Sequence, residues 1–217
     1  MPRSRPALDR RQVITAAVAV ADDSGLAKLT MRAVAERLGV EAMSLYHHVA
    51  NKDEMLDGMV DHVFEEFEVP VDVGWRDAMA HRATSARRSL RHHPWAIGLL
   101  DSRTSPGPAT LAHHDAVLGV LRSGGFPVRL AAHAFAAIDS FLYGFVLQEV
   151  ALPFEGDDEL AAMADDLRDD AFASHFPHLD EMMTEVALQP GYDFGDEFDF
   201  GLDLVLDGLE RALAGQR

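Results

Sequence analysis

Between Thr30 and Lys52 the chain gathers side chains suited to gripping a polyanion and touching what lies on it. Thr30 and Tyr46 bring hydroxyls and Lys52 an ammonium, all able to donate to phosphate oxygens, while Arg32 carries a planar fork that fits a guanine edge or a phosphate. Glu41 and Ser44 can hydrogen-bond a base edge, Ala42 and Met43 offer only apolar contact of the kind a thymine methyl accepts, and His47 is neutral or charged. The segment Asn51-Lys52-Asp53-Glu54 starts a helix, so Lys52 falls in a first turn whose free amides already attract phosphate.

Bond-making chemistry is less well provided for. The eleven histidines include the adjacent pairs His47-His48, His92-His93 and His113-His114. Neighbours on a helix point about 100° apart and rarely share a metal, so no metal site is expected. Neither HExxH nor G-x-S-x-G occurs, and Asp157-Asp158, Asp165-Asp166 and Asp169-Asp170 read as solvated faces rather than a catalytic dyad. An enzyme and a protein-only binding module stand as the alternatives to a DNA reader.

The elements that would position these groups follow from spacing. Thr30 caps a helix on which Val34, Ala35 and Leu38 share a face, Gly39 breaks it, and Val40, Leu45 and Val49 are the next inward anchors. Ala35 is small enough for a second helix to cross closely, and Gly39 is the residue that bends at least cost. This is a helix-turn-helix pattern, with Ala42, Met43, Ser44, Tyr46 and His47 left outside. Upstream, Asp9 and Gln12 form a capping box, and Val13, Ala17, Val20 and Ala21 give a supporting helix its apolar stripe.

Charge is divided unevenly. The chain has 217 residues, 48% of them hydrophobic, no cysteine, and a net charge of −17. Residues 1–52 hold eight Lys and Arg against five acids, a surplus of +3, which leaves −20 on the rest. A small cationic end on an acidic body suits a protein that presents only that end to nucleic acid, because phosphate attraction acts locally. The absence of cysteine excludes disulfides and thiolate metal sites. The arginines of MPRSRPALDRR precede no apolar run, and no stretch reaches about eighteen uninterrupted apolar residues, so a cytoplasmic protein without a membrane partner is expected.

Further along, Met55, Met59, Val63 and Phe67 recur at helical spacing, with Asp57, Asp61, Glu65 and Glu66 as the wet side of a helix running to about Glu66. Pro70 and Gly74 mark the boundary, giving a DNA-binding domain over 1–52, a connecting helix to about 68, and a second domain over 69–217. Trp75 to Arg91 reads as an amphipathic helix with Arg82, Arg87, Arg88 and Arg91 outside; Trp95 to Leu100 and Leu111 to Arg122 are two more helices, separated by the loop DSRTSPGP. Val128 to Leu152 is apolar nearly all round and needs cover on every side. With the last helix, about Asp196 to Ala214, it predicts a four-helix bundle between two chains, with Phe141, Phe145, Leu202, Val205, Leu206 and Leu209 at the interface. Glu155 to Gly195 reads as one helix and a variable connector, and residues 1–8 as a mobile arm. The fold class is all-α.

LTMRAVAERLGVEAMSLYHHVANKDEML resembles the N-terminal domain of the TetR family of bacterial transcriptional regulators. RHHPWAIGLLDSRTSPGP, LRSGGF, IDSFLYGFVLQE and FDFGLDLVLDGLERAL resemble the C-terminal domain of its tetracycline-repressor subgroup, so the likeness spans most of the chain and is weakest from Glu155 to Gly191. The resemblance implies a homodimeric repressor that holds a palindromic operator and releases it to a small-molecule effector. It also implies that Thr30, Arg32, Ala42, Met43, Ser44, Tyr46, His47 and Lys52 contact DNA. Candidate pocket residues are Phe64, Arg82, Trp95, Leu100, His114, Val117, Phe135 and Asp139, although Phe64, Val117 and Phe135 read individually as plain core. In that subgroup a histidine and a glutamate help hold metal-chelated tetracycline. The corresponding positions here read Leu100 and Gln148, with Glu149 adjacent, so a different effector without magnesium is expected, and no cofactor.

Overall fold

A computed structural model describes residues 8–100, 102–103, 105–154, 156–168 and 171–216. The expected N-terminal arm therefore lies, apart from Leu8, outside the described residues, and among them no strand occurs.

Helix α1 is Arg10–Ser24 and opens on the expected box: the Gln12 amide donates to Asp9 at 2.8 Å and the Asp9 amide to the Gln12 side chain at 3.0 Å. Thr30 caps α2, Met31–Leu38, by accepting the Ala33 amide at 3.1 Å, an interaction worth about 1 kcal/mol. Gly39 ends α2 at φ +66°, where a side chain would be strained, and the chain turns into α3, Ala42–Leu45. Asn51 caps α4, Lys52–Phe64, by accepting the Glu54 amide at 2.8 Å. The Glu54 carboxylate takes the Ala50 amide rather than that of Asn51, one residue earlier than a standard box.

Two bodies of apolar side chains form, and α4 belongs to both. Val13, Ala17, Leu29, Val34, Ala35, Leu45 and Val49 make one core with Met55 and Met59. One helical turn on, Val60, Val63 and Phe64 enter a larger core built on α5 (Trp75–His92), α7 (Pro108–Ser123), α8 (Val128–Ala151) and α12 (Glu197–Ala214). Short α6, Ile97–Leu100, leads into the loop before α7. Beyond α8, helices α9 (Asp157–Leu167), α10 (Phe172–His175) and α11 (Pro177–Met182) surround a small cluster of Ala164, Phe172 and Met183. One helix and a connector were expected there; Phe172 and Met183 supply enough apolar surface to gather a satellite core, and Pro177 starts α11.

Two surface expectations are corrected. Arg82 is fully buried, and Arg87 is largely so, pairing in two bonds with Glu149 at 2.6 and 3.0 Å while its guanidinium lies 4.7 Å from the Phe198 ring centre. Only Arg88 and Arg91 of the four face solvent. The acids of α4 are likewise engaged. Asp61 caps α7 from a distance, accepting the Thr110 amide at 2.8 Å and its hydroxyl at 3.0 Å; Asp57 lies 3.4 Å from Arg103, and Glu66 accepts the Ser89 hydroxyl at 2.6 Å. Gly107 allows the first of these contacts, since a Cβ there would overlap the Asp61 carboxylate.

Candidate nucleic-acid interface and effector core

On the helix-turn-helix, Met43 is 73% and Tyr46 46% exposed, and Thr30, Arg32, His47 and Lys52 also face solvent. Ala42 and Ser44 are half-buried at the start of α3. The eight residues thus lie on the outside of α2, α3 and the first turn of α4, all held by one dry core. Arg32 Nε is 3.0 Å from Glu36, but both side chains are so exposed that the pair contributes at most about 1 kcal/mol and yields readily to a phosphate or a base. Arg37 is differently placed: it binds Asp23 of α1 at 2.6 Å and braces α2 on α1.

The larger core is centred on charge. Arg82 on α5 donates from Nε to His113 Nε2 at 3.1 Å and from Nη1 to the Asp139 carboxylate on α8. Accepting at Nε2 requires His113 to keep its proton on Nδ1 and stay neutral. Burial, followed by the Arg82 charge beside it, pulls its pKa down from 6.5 to about 3. Phe64 packs tilted against His113 at 5.3 Å and edge-on to His114 at 5.4 Å, and Phe135 lies edge-on to His114 at 5.2 Å. Val117 is buried one turn beyond His113 on α7. Arg82 Nη2 is buried without a hydrogen-bond partner among the described residues, which is costly unless a further group satisfies it, while the backbone of Phe67 lies within hydrogen-bonding reach of the His113 ring.

Six of the eight candidate pocket residues therefore converge. Trp95 does not join them; its Nε1 donates to Asp22 of α1 at 2.7 Å, between the two cores. Leu100 is half-buried against the larger core at the end of α6. His113, which is not among the sequence candidates, stands at the centre. Its spacing from Val117 and Leu121 on the buried side of α7 was the available signal.

Comparison with known proteins decides what this arrangement belongs to. Residues 13–59 match the family described as bacterial regulatory proteins, tetR family, and residues 70–213 match the tetracyclin repressor-like C-terminal domain. The chain belongs to the TetR family. It is 34% identical to an HTH-type transcriptional regulator of Saccharopolyspora erythraea, over 95% of this chain and 86% of that one. It is 33% identical to the HTH-type transcriptional repressor DrrR1 of Streptomyces coeruleorubidus, over 98% and 81%. Among solved structures it is similar to apo ActR from Streptomyces coelicolor, with a TM-score of 0.79 and 26% identity over 99% of this chain and 100% of that one. ActR in complex with actinorhodin superposes with a TM-score of 0.78 at 28% identity, over 96% and 98%. The chain is thus a DNA-binding transcriptional regulator, not an enzyme.

Within this TetR-family fold, α8 and α12 pack on each other differently from the expected interface. Phe145, Leu202, Leu206 and Leu209 are buried inside their own chain, and Phe141 and Val205 are half-buried against the same core. All six belong to the chain's own larger core, and the rings of Phe141 and Phe145 against Phe198 join α8 to α12. The large apolar groups left outward include Val128, Leu147 and Val150 on α8 and Phe200 and Leu204 on α12. On α8, Glu149 accepts from Arg87 with both oxygens, and Arg91 lies 3.5 Å away. A cleft of about 720 Å³ opens beside it, lined among others by Arg91, Tyr192, Asp193 and Phe194, away from the Arg82 group.

Proposed function

We propose that the chain is a repressor that holds a palindromic operator as a two-fold homodimer and lets go when a small molecule enters the core around Arg82. Residues 1–52 form the reading domain, 69–217 the effector and dimerisation domain, and α4 joins them. The observation that carries the reading is the sharing of α4: Met55 and Met59 are set in one core, and Val60, Val63 and Phe64 in the other. Phe64 touches the rings beside Arg82, Asp61 caps α7, and Arg103 reaches Asp57, so three contacts of the effector core bear on the helix whose first residue is Lys52. A ligand that favours one placement of these contacts changes the spacing of the two heads.

Thr30, Arg32, Ala42, Met43, Ser44, Tyr46, His47 and Lys52 face the duplex. Thr30, Tyr46 and Lys52 hold phosphates, and specificity leans on Arg32, methyl contacts and DNA shape. The naming of DrrR1 as a repressor and the capture of ActR with actinorhodin support an effector-released repressor. The effector offers an acceptor oxygen to Arg82 and an otherwise apolar body to Phe64, Val117 and Phe135. Magnesium-bound tetracycline is not this effector, since Leu100 and Gln148 are neutral and Glu149 is committed to two arginines.

The second copy docks on the outward face of α8 and α12. By length and composition α8 could cross a membrane, with a mean hydropathy of 1.6 in its most apolar window, of which 33% is buried. Leu147, Phe200 and Leu204 form an unpartnered stripe that a symmetric copy covers, and the dimer works on DNA in the cytoplasm. The decisive experiment is a gel shift on the promoter fragment of its own gene at rising salt. Retardation that weakens steeply with salt supports the reading; no retardation at low salt would favour a protein-interaction module. A thermal-shift titration with tetracycline and Mg²⁺ tests the effector part, and saturable stabilisation would overturn it.

A further inference from the structure

The end of α5 brings two imidazoles and a carboxylate together outside both sites described above. His92 is the last residue of α5, and His93 precedes Pro94, whose ring disfavours helical backbone at the residue before it. His93 accordingly takes φ −120°, ψ 62°, and its ring leaves the helical course. The two rings then lie edge-on with centres 4.6 Å apart instead of diverging as neighbours on a helix do. Asp22, from the last turn of α1, completes the group: one ligand atom from each of Asp22, His92 and His93 lies within 4.8 Å of the others.

The surroundings have the character of a built site. The His93 side chain is only 4% exposed, with Nδ1 2.7 Å from Asp22 Oδ1 and Nε2 3.3 Å from Glu66 Oε1. Glu66 is itself oriented by the Ser89 hydroxyl at 2.6 Å, and Asp22 by the Trp95 indole at 2.7 Å. His92 faces solvent and leaves a route in.

We propose that Asp22, His92 and His93 bind one divalent transition-metal ion of the zinc type, with Glu66 as a positioning residue for His93. Two imidazole nitrogens and one carboxylate oxygen are a borderline donor set that suits zinc, with water in the fourth place. Bonds of about 2.0–2.2 Å set tetrahedral ligand atoms about 3.3 Å apart, so the group needs only small adjustments. Ligation through Nδ1 displaces the proton shared with Asp22, while Nε2–H donates to Glu66 and holds the tautomer. The bound ion ties the end of α1, in the first core, to the end of α5, in the second.

The test uses full-length protein stripped of metal with a chelator, then titrated with Zn²⁺ against a chromophoric competitor, and in parallel with Co²⁺. The expected result is one tight Zn²⁺ per chain and the intense visible absorption of four-coordinate Co²⁺. His92→Ala and Asp22→Asn should each abolish the tight site, and Glu66→Gln should weaken it by about 10–100-fold. His178→Ala, at a side chain 97% exposed and outside the group, should leave it unchanged. His92 is exposed, so its variant folds and decides the matter should Asp22→Asn not fold. Tight binding that survives His92→Ala, a weak six-coordinate Co²⁺ spectrum, or equal loss in His178→Ala would overturn the proposal.

Discussion

The core of α1, α2, α3 and the first half of α4 buries only apolar groups among the described residues and sends Thr30, Arg32, Tyr46, His47 and Lys52 to its surface. The core of α5, α7, α8 and α12 instead buries Arg82 and His113, with Asp139 13% exposed, and leaves an arginine nitrogen without a partner among the described residues. The first body can therefore be rigid and recognise by its outside. The second carries an unsatisfied polar centre, which stabilises nothing by itself and makes sense as a place for a ligand.

The sharpest way to break this contrast is Asp139→Ala, which strands the buried Arg82 charge. We expect a loss of about 3–5 kcal/mol in denaturant unfolding, while Arg82→Met with Asp139→Leu recovers most of it. A single-variant loss as small as that of a surface change would mean that the centre is hydrated and not a buried ionic group.

Acid should act on the second core first. The His113 pKa is depressed from 6.5 in the unfolded chain to about 3 in the folded one, so the unfolded state binds the extra proton between these values. Stability is complete above pH 6.5 and falls by about 1.4 kcal/mol per unit as pH drops toward 3. His113→Gln should flatten the difference between its own and the parent melting curves over that window; parallel curves would remove His113 as the cause.

In the first core the sensitivity is steric. Ala35→Leu should cost about 1–3 kcal/mol by forcing α2 from its neighbours, measured by urea unfolding, and should abolish the gel shift. Smaller still, Thr30→Ala should cost about 1 kcal/mol through the lost cap, and Met43→Ala should stay within about 0.5 kcal/mol of the parent while altering operator preference. An operator preference that is unchanged by Met43→Ala but lost with Arg32→Ala would assign reading to the fork alone.

Much of the fold was legible because its signals are local. Asp9 with Gln12, Thr30, Gly39 and Asn51 mark helix ends by groups three or four residues apart, and Val34, Ala35 and Leu45 follow helical spacing. The candidate surface of the helix-turn-helix was readable for the same reason, since what is not on the apolar face points out. The candidate pocket is half legible: Arg82 and Asp139 stand among the candidates, but helical spacing also puts Arg82 on a wet face, and the candidate from the pair His113-His114 is His114.

What the sequence determined by itself is the order of the helices, their caps, and the helix-turn-helix with its outward residues, because backbone hydrogen bonding and apolar periodicity act over a few residues. Only the tertiary structure decided which charged groups go inside. Arg82 can be buried because His113 stands 31 residues away and Asp139 57 residues away in sequence, and both are brought to it by other helices. The same holds for Asp61 at the start of α7 and for Asp22 beside His93. A charge leaves water only where a partner offsets its desolvation, and such partners come from distant elements that no periodicity encodes.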